Sequence, residues 1–236
     1  MTYSDEQLRR VMSNAKRKTP LSGWRPSSVT GDVGKAVAAL GRRVCSGVAE
    51  PPAEEPAWKR RWLKLRPEAV VGTRVAKLPA SAQRNLPAVR AWQGKPPGLL
   101  LYGPTRTGKT RSAWLRLFDA CKLNCFCQAY EGGAFSRTLG KNYRSETGEA
   151  FVENVKNVQL LLLDDLDKMR ATAAVVNDVF SILDHRCQHC KPTIVTMNST
   201  PAELARYMGG THGEALCGRL NDPDVFQTLR YERDDR

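Results

Sequence analysis

The segment from residue 98 to residue 122 limits most strongly what this chain can fold into. An apolar run, GLLLY (98–102), leads directly into the glycine-rich stretch GPTRTGKT (103–110), and a helical pattern follows from about Lys109 to Lys122. A strand that passes through a short turn into a helix is the first half of a parallel β/α unit. The segment therefore predicts an α/β domain built around it.

The same alternation of strands and helices continues along the rest of the sequence. Four further apolar runs predict strands, at 125–131, 158–164, 192–198 and 225–231. Helical patterns lie between them, at 133–156, 174–187, 201–208 and 213–221. Alternating strands and helices predict a parallel sheet that is covered on both faces. We expect a doubly wound, five-stranded α/β domain over residues 86–236.

The glycine-rich stretch also fits the pattern G-x-x-x-x-G-K-[ST]. Its glycines allow main-chain amides to surround phosphate groups, and the N-terminus of the following helix attracts negative charge. We expect Lys109 to reach the β- and γ-phosphates of ATP and Thr110 to bind Mg²⁺ through its hydroxyl. The residues assigned to this nucleotide site are Gly103, Pro104, Thr105, Arg106, Thr107, Gly108, Lys109, Thr110 and Arg111. The alternative, a purely structural turn, does not explain the position between strand and helix.

Two adjacent acids follow the third predicted strand, LLLLDD (160–165). Ligands of open α/β sheets bind at the carboxyl ends of the strands, so we expect Asp164 to lie beside the phosphate loop and complete the Mg²⁺ site. Asp165 is then placed to polarise a water for attack on the γ-phosphate. A kinase needs only the first acid, so two acids favour hydrolysis. Asp165 as a simple helix cap is the alternative.

Asn198, after the fourth strand, is expected to orient that water, although Asn at a strand end is more often a turn former.

The positive charge of the chain is concentrated near its N-terminus. The 236 residues carry a formal net charge of +13, of which residues 1–97 contribute +12, with 19 Lys and Arg against 7 Asp and Glu. Such a segment favours a polyanionic partner, and Trp24, Trp58 and Trp62 accompany the charge and could stack on bases. We interpret this as nucleic-acid binding. A solvated basic tail is the alternative.

Residues 1–85 are interpreted as a basic extension that precedes the α/β domain. Ten of the fourteen prolines precede residue 98, and AEPPAEEPAW (49–58) is typical of an extended linker. Residues 4–18 predict a short amphipathic helix, which either packs locally or docks on a partner. A weaker helix is predicted over 33–44.

The composition argues against a membrane protein and against a disulfide-rich secreted protein. No run approaches eighteen apolar residues, and the charged N-terminal residues do not fit a signal peptide. The seven cysteines are an odd number without a disulfide-like spacing. We expect a cytoplasmic protein with reduced thiols and no membrane partner.

Four motifs, GPTRTGKT, LLLLDD, PTIVTMN and GEALCGRLND, occur in the order and spacing of an AAA+ ATPase. More narrowly, they resemble the bacterial DnaC/DnaI-type helicase loaders and the related IstB transposition helpers. The resemblance implies that Lys109 and Thr110 belong to Walker A, that Asp164 and Asp165 form Walker B, and that Asn198 is sensor 1. It further implies that Arg219 is an arginine finger acting on the ATP of a neighbouring subunit in an ATP-dependent homo-oligomer.

The chain departs from that family pattern in three places. Arg106 and Asp167 stand where Gly is common in relatives, and Asp167 is given no function. The sequence after the fifth strand is too short for a C-terminal helical lid. The loader branch of the family also lacks this lid.

The resemblance implies an ATP-hydrolysing protein of DNA replication that loads a replicative helicase onto DNA, with single-stranded DNA favoured. An IstB-like helper that delivers a transposase shares the same chemistry. A nucleotide-switched binding module with little hydrolysis belongs to a different class, and a small-molecule kinase is the least supported.

Two smaller motifs each have two interpretations. Cys187 and Cys190 form a C-x-x-C with His185 and His189 nearby, but a zinc site needs four converging ligands, so these thiols are interpreted as small hydrophobes. The basic run Arg137, Lys141 and Arg144 either touches single-stranded DNA or forms a solvated helix face.

Overall fold

The computed structural model describes residues 55–143 and 145–233. The strands are β1 Gly98–Tyr102, β2 Cys127–Glu131, β3 Leu160–Asp164, β4 Thr193–Met197 and β5 Phe226–Arg230. The helices are α1 Ala57–Leu65, α2 Ala80–Ala91, α3 Lys109–Lys122, α4 Gly132–Lys141, α5 Glu146–Asn157, α6 Ala173–Gln188, α7 Pro201–Met208 and α8 Gly210–Asn221. Single 3₁₀ turns span Glu68–Val70, Val75–Lys77 and Leu166–Lys168.

The five strands form one parallel sheet in the order β2-β3-β4-β1-β5. The predicted doubly wound, five-stranded parallel sheet is therefore confirmed. The order places β4 between β1 and β3, so the acids that end β3 are separated from the phosphate loop by one strand. The residues after β4 consequently lie in the middle of the carboxyl edge.

Each face of the sheet buries its own hydrophobic cluster. On β3, Leu161 and Leu163 pack into the cluster formed with α4 to α8, whereas Leu160 and Leu162 pack into the cluster formed with α2 and α3. Successive side chains of a strand point to opposite faces, so an unbroken apolar run is what a strand covered on both sides requires. This explains the four leucines before Asp164.

The helices that precede the sheet pack against α3. Trp62 of α1 contacts Trp114 with 6.0 Å between ring centroids and Phe118 with 5.0 Å, and Trp58 contacts Phe118 edge-on at 6.1 Å. The compact unit that contains the sheet begins at Glu54 and includes α1, and the boundary at residue 86 stays a prediction. Trp58 and Trp62, which could stack on bases, are partly buried where their rings pack against α3. Trp24 and the helices predicted at 4–18 and 33–44 lie outside the described residues.

The predicted helical stretch 133–156 is two helices rather than one. The break lies between α4 and α5, where the Ser145 side chain accepts the main-chain N–H of Gly148 and caps α5. Serine at this position competes for main-chain hydrogen bonds and favours a helix start.

A buried arginine ties the end of α6 to two neighbouring loops. Arg186 is fully buried and donates to five acceptors, the carbonyls of Val155, Lys156, Val158 and Pro192 and the hydroxyl of Thr193. Burial lowers its pKa to about 10. The main-chain acceptors stabilise the guanidinium where the described surroundings offer it no ion pair.

Within the described residues, no helix is long and apolar enough to cross a membrane.

Candidate functional site

The predicted phosphate loop follows β1 and curls into the N-terminus of α3. Gly103 and Gly108 have positive φ angles of 135° and 92°. A Cβ at Gly103 would lie 2.0 Å from the carbonyl oxygen of Tyr231, and a Cβ at Gly108 would lie 2.6 Å from the Cβ atom of Ala82. Only glycine fits both positions, so the loop geometry depends on these two residues.

Lys109 is buried at the start of α3 and holds the loop closed. Its Nζ donates to the carbonyl oxygens of Gly103 and Pro104, both over 2.7 Å, and to Oδ1 of Asn198 over 3.1 Å. Burial lowers the pKa of Lys109, and the acids Asp165, Asp167 and Asp164, at and after the end of β3, oppose that effect. The ammonium group therefore lies between the phosphate loop and the end of β4.

The remaining loop residues divide into those that line the site and those that shape it. Thr107 is buried and donates to the carbonyl oxygen of Pro104 over 2.8 Å, so it shapes the turn. Arg106 is exposed and has a positive φ of 65°. A cavity of about 440 Å³ lies against the loop and α3. Eight of the residues predicted for the site line this cavity: Thr105, Arg106, Gly108, Lys109, Thr110, Arg111, Asp165 and Asn198.

Asp164 is almost fully buried at the end of β3. Its Oδ1 accepts the hydroxyl of Thr110 over 3.0 Å and the hydroxyl of Thr196 over 2.6 Å. Burial raises the pKa of Asp164, and the hydrogen bonds from Thr196 and Thr110 act in the opposite direction. Thr110 and Asp164 are thus joined by a direct hydrogen bond, and Thr196 of β4, which was not singled out from the sequence, donates to the same carboxylate oxygen.

Asp165 occupies a strained position directly after β3. Its φ is 52°, in the left-handed region that few non-glycine residues adopt. Its main-chain N–H donates to the hydroxyl of Thr196 over 2.9 Å. Its carboxylate contacts Nζ of Lys168 at 2.5 Å and Nδ2 of Asn198 at 3.4 Å. The hydrogen bond to Asp165 raises the pKa of Lys168. The Lys168 pair is readable from the sequence as an i,i+3 spacing.

Asn198 connects the two halves of the site. Its side-chain amide oxygen faces Lys109, and its side-chain amide nitrogen faces Asp165. Its main chain is held by Asp167, whose Oδ2 accepts the N–H groups of Asn198 over 2.9 Å and of Ser199 over 3.0 Å. Asp167 was assigned no function from the sequence, and the one signal for it was an acidic side chain so near two other acids.

Arg219 lies away from this cavity, on α8. Its guanidinium forms an ion pair with Asp184 of α6 and lies over the ring of Phe180 at 5.1 Å. Arg219 is therefore not among the residues that the fold brings to the phosphate loop of the same chain.

The cysteine-rich segment and the basic run have simpler surroundings. Among the described residues, no group of three or more His, Cys, Asp or Glu side chains is arranged to hold a metal ion, and the six described cysteines are free thiols. His185 and His189 stack on each other at 4.1 Å. Arg137 and Lys141 are exposed on α4.

Solved structures with the same arrangement show which fold this is. The chain is similar to the DnaC helicase loader, with a TM-score of 0.58 and 20% sequence identity over 70% of this chain and 100% of that chain. It is also similar to DnaI, with a TM-score of 0.59 and 19% identity over 71% of this chain and 95% of that chain. The chain therefore has the fold of the DnaC helicase loader and of DnaI. The predicted resemblance is confirmed at the level of the fold.

A third similar structure is the replication initiator DnaA bound to AMPPCP and single-stranded DNA. Its TM-score is 0.50 and its identity 18%, over 65% of this chain and 45% of that chain. The chain thus spans less than half the length of this DnaA chain. No protein-family model and no curated protein sequence matches the chain.

Proposed function

We propose that this AAA+ protein binds and hydrolyses ATP. The observation that carries the proposal is the hydrogen bond of 3.0 Å between Thr110 Oγ1 and Asp164 Oδ1. It joins the phosphate loop to the first acid, and Lys109, Asp165 and Asn198 surround the same region. The cavity of about 440 Å³ beside them falls within the range of small-molecule sites, roughly 300–1,000 Å³. The nucleotide-bound DnaA structure of the same fold class supports ATP as the ligand.

The residues present fit Mg²⁺. This ion is usually held by one or two carboxylates together with phosphate oxygens, and the Thr110 hydroxyl and the Asp164 carboxylate supply such a pair. Ionised Asp164 is disfavoured by burial, and a cation beside it would favour the charged form. When bound, Mg²⁺ neutralises negative charge on the phosphates.

The side chains of the site divide the work of hydrolysis. Lys109 binds the β- and γ-phosphates in place of its present carbonyl acceptors. Asp165 accepts a proton from the attacking water, and Asn198 orients that water beside it. Lys168 occupies Oδ2 of Asp165, so proton transfer uses Oδ1 unless this exposed lysine moves away.

The nucleotide base has a candidate site next to the phosphate cavity. Val70 and Arg111 line both that cavity and a second one of about 170 Å³. The second cavity is walled mainly by apolar and aromatic groups, including Trp114 and Phe118. Such surfaces suit a planar, largely apolar ring.

We place this ATPase in DNA replication, as a cytoplasmic loader of a replicative helicase onto single-stranded DNA. The similarity to DnaC and DnaI supports this role. Arg219 would serve as the arginine finger of a neighbouring copy in an ATP-dependent homo-oligomer, which requires release from Asp184. The basic N-terminal residues would bind the helicase or DNA.

Steady-state ATP hydrolysis by the full-length chain, with and without single-stranded DNA, tests the enzymatic part. Lys109→Ala should abolish nucleotide binding, because the buried ammonium is lost from the phosphate loop. Asp165→Asn should still bind ATP and lose about 100-fold or more in kcat, the usual contribution of a general base. Lys122→Ala, at the other end of α3, is the matched control and should behave as wild type. DNA-stimulated turnover that survives Asp165→Asn would favour the nucleotide-switched binding module.

Affinity capture with the full-length chain as bait tests the biological part. Recovery of a replicative helicase, dependent on ATP and lost with Lys109→Ala, is the expected result. Recovery of a transposase in its place would assign the chain to the IstB-like role, and recovery of neither would contradict helicase loading.

A further inference from the structure

Asp167 links the turn after β3 to the carboxyl end of β4. Main-chain pairing between these strands ends at Leu163 and Val195. Beyond that point the Asp167 carboxylate accepts the N–H groups of Asn198 and Ser199, over 2.9 and 3.0 Å. A carboxylate forms stronger hydrogen bonds than a neutral acceptor. The side chain therefore extends the connection between the strands into the site.

Asp167 holds the main chain of Asn198 and leaves its side chain to act in the cavity. The Asn198 amide lies 3.1 Å from Nζ of Lys109 and 3.4 Å from Oδ1 of Asp165. Asn198 is the first residue after β4, where the sheet no longer fixes the chain. The position of its amide consequently depends on the two hydrogen bonds that the main-chain N–H groups of Asn198 and Ser199 donate to Asp167.

The environment of Asp167 is not one that stability alone would favour. Its Oδ1 and the hydroxyl of Ser199 are both buried and have no hydrogen-bond partner within the described parts of the chain. Buried polar atoms without partners are costly. Asp167 also adds a third carboxylate close to Asp164 and Asp165, which like-charge repulsion disfavours.

We propose that Asp167 is a positioning residue, which fixes Asn198 relative to Asp165 and Lys109 so that the attacking water is oriented. The inference rests on the proposed ATP hydrolysis. It predicts that loss of Asp167 lowers kcat while nucleotide binding is kept, because neither the carbonyl contacts of Lys109 nor the hydrogen bond between Thr110 and Asp164 involves Asp167.

Three single variants of the full-length chain test this. Asp167→Ala should lower kcat by about 10- to 100-fold, the scale expected when a reacting group is displaced by about 1 Å, with KM and the Kd of a fluorescent ATP analogue within about twofold. Asp167→Asn keeps an oxygen acceptor in place and should recover most of kcat, to within about fivefold of wild type, since a neutral acceptor binds N–H more weakly. Glu203→Ala is the control: it removes the capping box of α7, close in sequence to Asn198, and should leave kcat unchanged.

A double variant separates positioning from general destabilisation. If Asp167 acts through Asn198, adding Asp167→Ala to Asn198→Ala should lower kcat no further than Asn198→Ala alone. A purely structural role would give multiplicative losses instead.

The outcomes distinguish the two levels of the proposal. Wild type that does not hydrolyse ATP would overturn the proposed function and this inference with it. Wild type that hydrolyses ATP, with Asp167→Ala at the same kcat, or with Glu203→Ala equally impaired, would overturn the positioning role and leave the ATPase assignment intact. Failure of Asp167→Asn to recover activity above Asp167→Ala would also count against it.

Discussion

Replacing Thr196 with valine tests whether one hydroxyl holds the two acids of the site in place. Valine has nearly the same shape, so the substitution removes the hydroxyl with little change in the packing of β4. In the structure the hydroxyl donates to Asp164 Oδ1 over 2.6 Å and accepts the main-chain N–H of Asp165 over 2.9 Å. Thr196 itself is fully buried, so water cannot easily replace either bond.

The expected destabilisation follows from these two bonds. A hydrogen bond to a charged group contributes about 1.5–3 kcal/mol, and a buried N–H left without an acceptor costs about 1–3 kcal/mol. The methyl group gained offsets about 0.8 kcal/mol. Because Asp164 keeps the hydroxyl of Thr110 as a second donor, the lower half of the range applies. We expect Thr196→Val to reduce the free energy of unfolding by about 2–3 kcal/mol.

Urea unfolding of the full-length chain, followed by circular dichroism and compared at equal m-values, measures this change. The matched control is Thr228→Val on β5, where the hydroxyl is exposed and lies 3.5 Å from the carbonyl oxygen of Leu220. That variant should stay within about 0.5 kcal/mol of wild type. If Thr196→Val were no more destabilising than Thr228→Val, the assignment of Thr196 as the link between the acids would be refuted.

Three further predictions concern other parts of the domain. Arg186→Met should lower the free energy of unfolding by about 3–5 kcal/mol, because buried acceptors lose their partner, and an unchanged urea midpoint would contradict this. The hydrogen bond from Cys127, with nearby arginines, lowers the pKa of Cys125 to about 7. The rate at which iodoacetamide alkylates Cys125, measured by mass spectrometry, should therefore reach half of its maximum near that pH. A rate that rises only above pH 8 would contradict this prediction. Arg60→Ala combined with Lys64→Ala, two exposed cations of α1, should reduce the salt dependence of single-stranded DNA binding by about 1.4 in log–log slope if both contact phosphates. The same loss on changing two exposed cations of α4 would show that the effect is not specific to α1.

The strands and the phosphate loop were predictable because each depends on local sequence. The run from Leu160 to Leu163 identifies a strand covered on both faces, and the glycines at 103 and 108 identify a turn that no other residue fits. The start of the domain was less predictable. Trp58 and Trp62 are compatible with base stacking or with burial, and only the position of α3 decides between them.

The strand order was not readable from the sequence, and the missed residues follow from it. Nothing local to β4 indicates that it lies between β1 and β3, so Thr196 appeared to be an ordinary strand residue. Asp167 was missed for the same reason, because its acceptor role depends on where the end of β4 lies. The Arg219 assignment came from family resemblance, and its ion pair with Asp184 depends on the packing of α8 against α6.

The central position of β4 also determines how substitutions in the site should combine. Thr196 and Asn198 contact the acids after β3, and Asn198 also contacts Lys109 after β1. Changes at these two residues should therefore interact with changes at Lys109 and Asp165, because the residues share one hydrogen-bond network. Changes in β5 lie on the other side of β1 and make none of these contacts, so their effects on stability and on nucleotide binding should simply add to those of Asp165→Asn. Under the proposed function, the residues that join β1 to β3, rather than the phosphate loop alone, thus determine whether nucleotide binding and hydrolysis are coupled.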